Sequence, residues 1–134
     1  MKRTHPRIRK ALCLMLALVM VLGMLPGIQV RAAEGTTLYL VPNANWKQSN
    51  ARFAAYFFGN GEKWVSMTDS YKDGVYEVAV PAGFSKVIFC RMNPANQTNN
   101  WNNKWNQTAD LKYDGTNNHY TVKSGTWDNG GGTW

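Results

Sequence analysis

The chain has 134 residues and a formal net charge of +7, from 15 Lys and Arg against 8 Asp and Glu. Six of the basic residues and none of the acidic ones lie in residues 1–32, so the remainder has nine basic against eight acidic residues and a net charge of +1. A nearly neutral remainder without a basic run argues against a nucleic acid partner, and its single cysteine, Cys90, excludes an internal disulfide.

Residues 1–32 predict a secretory signal peptide. A positively charged start precedes an unbroken apolar run over 11–25, and Val30-Arg31-Ala32 fits a cleavage site. One alternative is an uncleaved membrane anchor, but the run is shorter than the roughly 20 residues that span a bilayer. Another is a lipoprotein anchor at Cys13, which lies too early in the run. We therefore expect a secreted or extracellular protein, with cell-surface association as an option and no membrane contact after cleavage.

Residues 33–127 predict one small domain, an all-β, antiparallel sandwich of about seven short strands. Apolar and polar residues alternate in short runs between turn signals, and no helical periodicity is visible. The predicted strands are 36–42, two strands within 52–67, 75–80, 86–92, 109–113 and 118–122, with 125–127 as a candidate edge strand. Residues 86–92 are apolar on both faces, which predicts a central strand with Cys90 as a buried thiol. Residues 93–107 predict a long loop, and 128–134 a glycine-rich C-terminal tail or linker.

The hairpin from Arg52 to Met67 turns at Gly59-Asn60-Gly61. A two-residue turn would pair Phe57 with Trp64, whereas a three-residue loop with Gly61 in the left-handed bulge position would pair Tyr56 with Trp64. We expect the second register, because it sorts the side chains into one apolar face and one mixed face. The apolar face would hold Phe53, Ala55, Phe57, Val65 and Met67, and the mixed face Arg52, Ala54, Tyr56, Glu62, Trp64 and Ser66. Tyr56 and Trp64 would then lie side by side on the solvent face, as a packing pair or as a platform for a ligand.

The residues for catalysis are missing from the part after residue 32. His119 is its single histidine, and none of the HExxH, GxSxG, CxxC or phosphate-loop motifs is present. The acids show no spacing that suggests a glycosidase pair. Asp69, Asp73 and Asp128 could contribute to a calcium site, but isolated turn aspartates usually cap turns. We therefore expect a monomeric, non-catalytic protein without metal or other cofactor.

Aromatic and amide side chains are the distinctive feature. All 17 Phe, Trp and Tyr residues lie after residue 32, and asparagines cluster over 93–106. Trp101 and Trp105 are four apart in WNNKW, a spacing that places them on one face of either an extended or a helical segment. Exposed rings can cover the apolar face of a sugar while amides bind its hydroxyls, so this composition predicts a glycan-binding surface. The alternative is that Trp46, Trp101, Trp105 and Trp127 cover the edges of the core under long loops.

Three stretches resemble, in order and spacing, the starch-binding modules of carbohydrate-binding family 26, with kinship to family 25. They are TLYLVPNANWKQSNARFAAYFFGNGEKWVSMT, YEVAVPAGFSKVIFCRMNP and WNNKWNQTADL, and the resemblance covers nearly all of 37–127. It implies an immunoglobulin-like β-sandwich that binds α-1,4-glucan. Such modules are appended to secreted amylases or assembled on bacterial cell surfaces.

The resemblance also implies a site. In the family, two tyrosines on one strand and a tryptophan on the next hold the curved glucan. Tyr56 matches the second tyrosine and Trp64 the tryptophan, whereas the first tyrosine position falls on Ala54, so Trp46 or Trp105 would supply the third ring. The predicted carbohydrate-binding residues are Tyr56, Trp64, Trp105, Trp101, Trp46, Lys63 and Gln107.

The functional prediction is a secreted, non-catalytic module that binds starch, glycogen or malto-oligosaccharides by stacking and amide hydrogen bonds. One alternative is an immunoglobulin-like adhesion or assembly domain whose exposed aromatics bind a protein. Another is the N-terminal module of a longer secreted amylase, with a catalytic domain beyond Trp134.

Overall fold

The computed structural model describes residues 36–113, 115–129 and 131–134. The predicted signal peptide, residues 1–32, lies outside the described residues. The described part forms ten strands and two 3-10 helices, at Gln48–Asn50 and Trp101–Asn103. The strands are β1 (Thr37–Val41), β2 (Arg52–Phe58), β3 (Glu62–Ser66), β4 (Thr68–Asp69), β5 (Tyr76–Ala79), β6 (Lys86–Met92), β7 (Lys104–Gln107), β8 (Leu111–Lys112), β9 (His119–Val122) and β10 (Gly132–Thr133).

The strands form two sheets that pack as an all-β sandwich. The first sheet has the order β10-β9-β1-β5-β4, and the second has the order β3-β2-β6-β7, with β8 also paired to β6. Every pair is antiparallel apart from β1 and β9, which run parallel. Seven of the strands described have four or more residues, and the other three have two. Six of the seven longer strands coincide with predicted strands, and the exception is β7. Of the two-residue strands, β8 lies within the predicted strand 109–113.

The register of the β2–β3 hairpin is the one expected from its loop. Tyr56 pairs with Trp64 and Phe58 with Glu62, which leaves three residues in the loop. Gly61 has φ +82°, a conformation that side chains other than glycine rarely adopt. The predicted apolar face packs inward, and the predicted mixed face points away from the core. The loop glycine thus fixes which side chains of both strands face the other sheet.

The core between the sheets is built by alternation along the strands. Leu38 and Leu40 of β1 are fully buried, as are Val87 and Phe89 of β6. The buried members of this core are Leu38, Leu40, Trp46, Phe53, Ala55, Phe57, Met67, Val78, Val80, Val87, Phe89, Tyr120 and Val122. Because both sheets contribute, burial of this apolar surface holds them together.

A second apolar cluster lies on the opposite, outer face of the second sheet. This outer cluster consists of Ala54, Tyr56, Ile88, Cys90 and Met92, with Phe58 and Trp64 partly buried against it. It explains why β6 is apolar on both faces, and β6 is the central strand that the sequence predicted, with β2 on one side and β7 and β8 on the other. Burial raises the pKa of the Cys90 thiol to about 12, in agreement with a buried and unreactive cysteine.

Two predictions about the C-terminal third were wrong. The predicted loop over 93–107 includes the 3-10 helix at Trp101–Asn103 and strand β7. Residues 125–127 form no strand, and the edge strand is β10, which lies in the predicted tail or linker and pairs with β9. The ring of Trp134 contacts Phe89, Tyr113 and Tyr120. The last residues therefore belong to the fold, because strand pairing and these ring contacts tie them to it.

Candidate functional site

The segment 93–103 folds back over the outer face of the second sheet. The backbone N–H of Asn93 donates to the carbonyl of Asn103 at 2.9 Å, so the two ends of the segment meet. The guanidinium of Arg52 fixes the middle. It donates to the carbonyls of Asn96 at 2.8 Å and Thr98 at 2.9 Å, and to the side-chain oxygen of Asn99 at 2.6 Å. A compact loop tied to β2 in this way holds a fixed shape.

Most asparagines of this loop serve the loop itself. The side-chain oxygens of Asn93 and Asn96 accept from the backbone N–H two residues further on, each at 2.9 Å. The side-chain oxygen of Asn100 accepts from the N–H of Asn103 at 2.9 Å and caps the 3-10 helix. These short-range turns are a common use of asparagine. The asparagine cluster, read from the sequence as part of a glycan-binding surface, therefore acts first as a scaffold.

The loop places Trp101 against Tyr56 of β2 and Trp64 of β3. These three rings are here called the indole cluster. Tyr56 lies with its ring centroid 5.0 Å from that of Trp64 and 4.7 Å from that of Trp101, and the two indoles are 4.7 Å apart. The planes of the indoles meet at 68°. Tyr56 is 7 % exposed, whereas Trp101 is 44 % exposed. Because Tyr56 touches both indoles and is buried, it forms the base on which they rest.

The prediction that Tyr56 is solvent-exposed was therefore wrong, although its predicted face was right. The ring points away from the core between the sheets, but Trp64 and Trp101 cover it. Burial raises the pKa of the Tyr56 hydroxyl, and the nearby carboxylate of Glu62 raises it further. The segment that carries Trp101 is 45 residues from Tyr56 in sequence, so strand alternation gave no sign of this cover.

The first tyrosine position of the resemblance offers no ligand contact. Ala54 is fully buried in the outer cluster. Trp46, one candidate for the missing ring, is 1 % exposed and belongs to the core between the sheets. Its indole N–H donates to the carbonyl of Trp127 at 2.8 Å, and its backbone N–H donates to the side chain of Asn43 at 2.9 Å. Trp46 is thus a structural residue, and the third ring beside Tyr56 and Trp64 is that of Trp101.

Polar groups lie at one side of the indole cluster. The ammonium of Lys104 lies 5.7 Å from the centre of the Trp101 ring and donates to the side-chain oxygen of Gln107. Gln107, a predicted site residue, therefore reaches the cluster through Lys104, which the prediction did not include. Lys63 is exposed on β3 but pairs with Phe57, so its side chain leaves the strand on the face opposite to Trp64. The structure does not bring Lys63 to the rings.

Trp105 lies apart from the indole cluster, in contrast to the expectation that Trp101 and Trp105 share a face. Its ring lies 4.7 Å from the guanidinium carbon of Arg91, which is 5.3 Å from the ring of Trp127. The β6–β7 register shifts between Arg91 and Met92, so one residue of β7 bulges at this point. Trp105 is the unpaired residue of this bulge. The chain also changes from a 3-10 helix to a strand at Lys104, so the spacing rule for one regular element does not apply. Sequence reasoning missed Arg91 as a partner, although a charged residue among the inward-facing positions of β6 was a visible signal.

A shallow pocket lies at the other end of β2. It has a volume of about 100 Å³ and is lined by Phe58, Lys86, Asp110, Leu111 and Lys112. Ligand pockets for small molecules usually measure about 300–1,000 Å³. This pocket is therefore too small to enclose a disaccharide.

His119 is the single histidine among the described residues. His119 stacks on Tyr39 at 4.4 Å, and its two ring nitrogens contact the hydroxyl of Tyr71 and the side-chain oxygen of Asn118. No carboxylate takes part in these contacts, so they do not form a histidine–acid pair for catalysis. The residues described also contain no group of three or more His, Cys, Asp or Glu side chains placed to hold a metal ion. Within the same part of the chain, no helix has the length and apolar character of a membrane span.

Comparisons of the chain with protein-family models, with curated proteins and with solved structures give no match. The candidate site therefore has to be judged on the geometry of its own residues. That geometry consists of two indoles in edge contact outside the sandwich, held from below by a buried tyrosine and from the side by a hydrogen-bonded loop.

Proposed function

We propose that the sandwich is a non-catalytic module that binds α-1,4-glucan on the indole cluster of Tyr56, Trp64 and Trp101. The observation that carries the proposal is the pair of indoles on the outer face of the second sheet, with planes at 68° to each other. A sugar ring has an apolar face of C–H groups, and an exposed indole matches this face in size and polarity. Export by the predicted signal peptide and an immunoglobulin-like topology belong to the same proposal.

The angle between the indoles favours a curved chain. Successive glucose units of an α-1,4-glucan turn relative to one another, so their apolar faces do not lie in one plane. Two ring planes at 68° can each meet one face of such a chain, whereas a flat β-linked chain would meet coplanar rings better. A curved polysaccharide is therefore the ligand class that the indole cluster fits best.

Rigidity is the second argument. Trp101 follows the cap at Asn100, in a loop that Arg52 binds through four hydrogen bonds. Trp64 lies on a strand and rests on Tyr56. Rings held in place before binding lose little conformational entropy when a ligand arrives, which raises affinity. Lys104 lies beside Trp101 and is bonded to Gln107, so the two side chains would supply a donor and an acceptor for sugar hydroxyls.

Titration calorimetry with maltoheptaose, together with electrophoresis in gels that contain amylopectin, tests the proposal. Trp64→Ala should weaken glucan binding at the indole cluster by about tenfold or more, as loss of a central aromatic contact does. Tyr71→Ala is the matched control, because Tyr71 is an exposed aromatic at 73 % exposure in another ring group, with Tyr39 and His119. Unfolding in urea should confirm that both variants fold. Equal affinity of Trp64→Ala and the wild type would reject the indole cluster as the site.

A further inference from the structure

Trp105 and Trp127 form a second group of exposed rings around one buried cation, here called the Arg91 cluster. The guanidinium carbon of Arg91 lies 4.7 Å from the ring centre of Trp105 and 5.3 Å from that of Trp127. The two ring centres are therefore no farther apart than the sum of these distances. Trp105 is 39 % exposed and Trp127 43 % exposed, whereas Arg91 is buried. Stacking on Arg91 occupies one part of each ring and leaves the rest in solvent.

Arg91 is a rigid support for these rings. It donates to the carbonyl of Trp46 at 2.9 Å, to the carbonyl of Gln48 at 2.8 Å and to the side-chain oxygen of Asn106 at 3.1 Å. Its planar fork is therefore fixed in three directions. A ring that stacks on a fixed guanidinium is itself held in one orientation.

The segment that carries Trp127 is also fixed. The side-chain amide of Asn43 donates to the carbonyls of Lys123 at 2.7 Å and Thr126 at 2.8 Å. The indole of the buried Trp46 donates to the carbonyl of Trp127, and the N–H of Asn129 donates to the carbonyl of Gln107 at 3.0 Å. The exposed rings of Trp105 and Trp127 thus lie on a prearranged surface. A binding site needs such a surface, whereas rings that only shield Arg91 would not need it.

Asp128 places unused hydrogen-bond acceptors beside the two rings. Its carboxylate accepts from the backbone N–H of Gln107 and from the side-chain amide of Asn106, each at 2.9 Å, with one bond to each oxygen. A carboxylate has about four acceptor positions, so about two remain for a ligand. Asp128 is exposed and follows Trp127 directly. A carboxylate can accept hydrogen bonds from two neighbouring sugar hydroxyls at once.

We propose that Trp105, Trp127 and Asp128 form a second glucan-binding site, so that one protein molecule binds glucan at two sites. This inference rests on the proposed function, because the ligand class is taken from the indole cluster. The polar groups favour a sugar over an apolar protein surface, since Asp128 and Asn106 would lose solvation against such a partner without gaining donors. Two linked sites would also raise the affinity for long chains well above that for short ones.

Calorimetry with maltoheptaose on the chain as it exists gives the decisive number, the stoichiometry. The wild type should bind two oligosaccharides. The pair Trp105→Ala and Trp127→Ala should leave one, and so should the pair Trp64→Ala and Trp101→Ala, while Tyr71→Ala should keep two. Retardation in amylopectin gels should fall by more than half in either paired variant, because each removes the bivalent contact.

The outcomes separate the two proposals. A wild type that binds one oligosaccharide, and loses it with Trp64→Ala and Trp101→Ala alone, would overturn the second site and leave the indole cluster standing. A wild type that binds no glucan would overturn both. If a paired variant does not fold, NMR of the indole N–H groups of the wild type gives the answer. Maltoheptaose should then shift the signals of Trp105 and Trp127 as well as those of Trp64 and Trp101. Trp134, whose ring contacts Phe89, Tyr113 and Tyr120, is the unchanged reference. Unshifted signals of Trp105 and Trp127 would overturn the second site.

Discussion

Replacement of Arg91 by methionine tests how the support of the two exposed rings is built. Methionine keeps an unbranched apolar stem of similar length but has no donors. The carbonyls of Trp46 and Gln48 would lose donors that lie 2.9 and 2.8 Å away. A buried acceptor left without a partner costs about 1–3 kcal/mol, and each lost cation–π contact costs about 0.5–1 kcal/mol.

The gain from no longer burying a charge offsets part of this loss. Burial lowers the pKa of Arg91, which means that the folded protein disfavours its charged form. Removal of a buried charge recovers part of the free energy that its desolvation costs in the folded state. The carbonyl of Gln48 keeps the N–H of Ala51 as a donor, so the carbonyl of Trp46 is the one left without a partner. With this carbonyl, two lost ring contacts and the recovered desolvation, we expect Arg91→Met to lower the free energy of unfolding by about 1–4 kcal/mol.

Urea unfolding followed by far-UV circular dichroism measures this change without relying on the fluorescence of the rings concerned. Lys112→Met is the matched control, since Lys112 is exposed and should change stability by less than about 0.5 kcal/mol. Arg91→Lys should fall between the two, because one ammonium cannot reproduce a three-way planar fork. A stability of Arg91→Met within about 1 kcal/mol of the wild type would refute the reasoning, since the hydrogen bonds of Arg91 would then contribute nothing net.

Two further predictions concern the interior. Burial raises the pKa of Cys90 from 9.0 to about 12. Iodoacetamide at pH 8 should therefore label Cys90 in urea but not in the native protein, as measured by peptide mass spectrometry. Equal labelling in the two states would contradict this. Because the raised pKa favours the protonated folded form, this part of the stability is complete below pH 9 and declines by about 1.4 kcal/mol per pH unit between pH 9 and 12, and Cys90→Ala should flatten the decline. In Gly132→Ala, the added methyl group would meet the carbonyl of Thr121 and the ring of Tyr120. This variant should lose about 1–3 kcal/mol and expose the ring of Trp134, and unchanged thermal unfolding would show that β10 shifts without cost.

Local patterns gave the frame of the fold. The three-residue loop with Gly61 at positive φ set the register of β2 and β3, and the apolar residues on both faces of β6 marked it as central. Both features depend on neighbours within a few residues, where chain geometry leaves few choices. The inward positions of Leu38 and Leu40 follow from the same period of two.

Contacts between segments distant in sequence determine which aromatic residues are buried and which are exposed. Sequence reasoning grouped Trp46, Trp101 and Trp105, yet Trp46 lies in the core, Trp101 covers Tyr56, and Trp105 stacks on Arg91. An indole carries the same apolar surface in each case, so composition alone does not separate a core residue from an exposed one. Trp105 is also the unpaired residue of the bulge at Arg91 and Met92, and the position of this bulge depends on the pairing of β6 with β7.

The sequence by itself determined most of the longer strands and the side chains of β1, β2 and β6 that face the core. Only the tertiary structure decided which rings meet water, because exposure depends on what a remote loop or terminus covers. Trp101, carried by the loop over 93–103, covers Tyr56, and Gly132–Thr133 form the edge strand beside β9. Alternation along a strand specifies the side of a sheet to which a residue points, while the solvent contact of that side is set by segments far away in the chain.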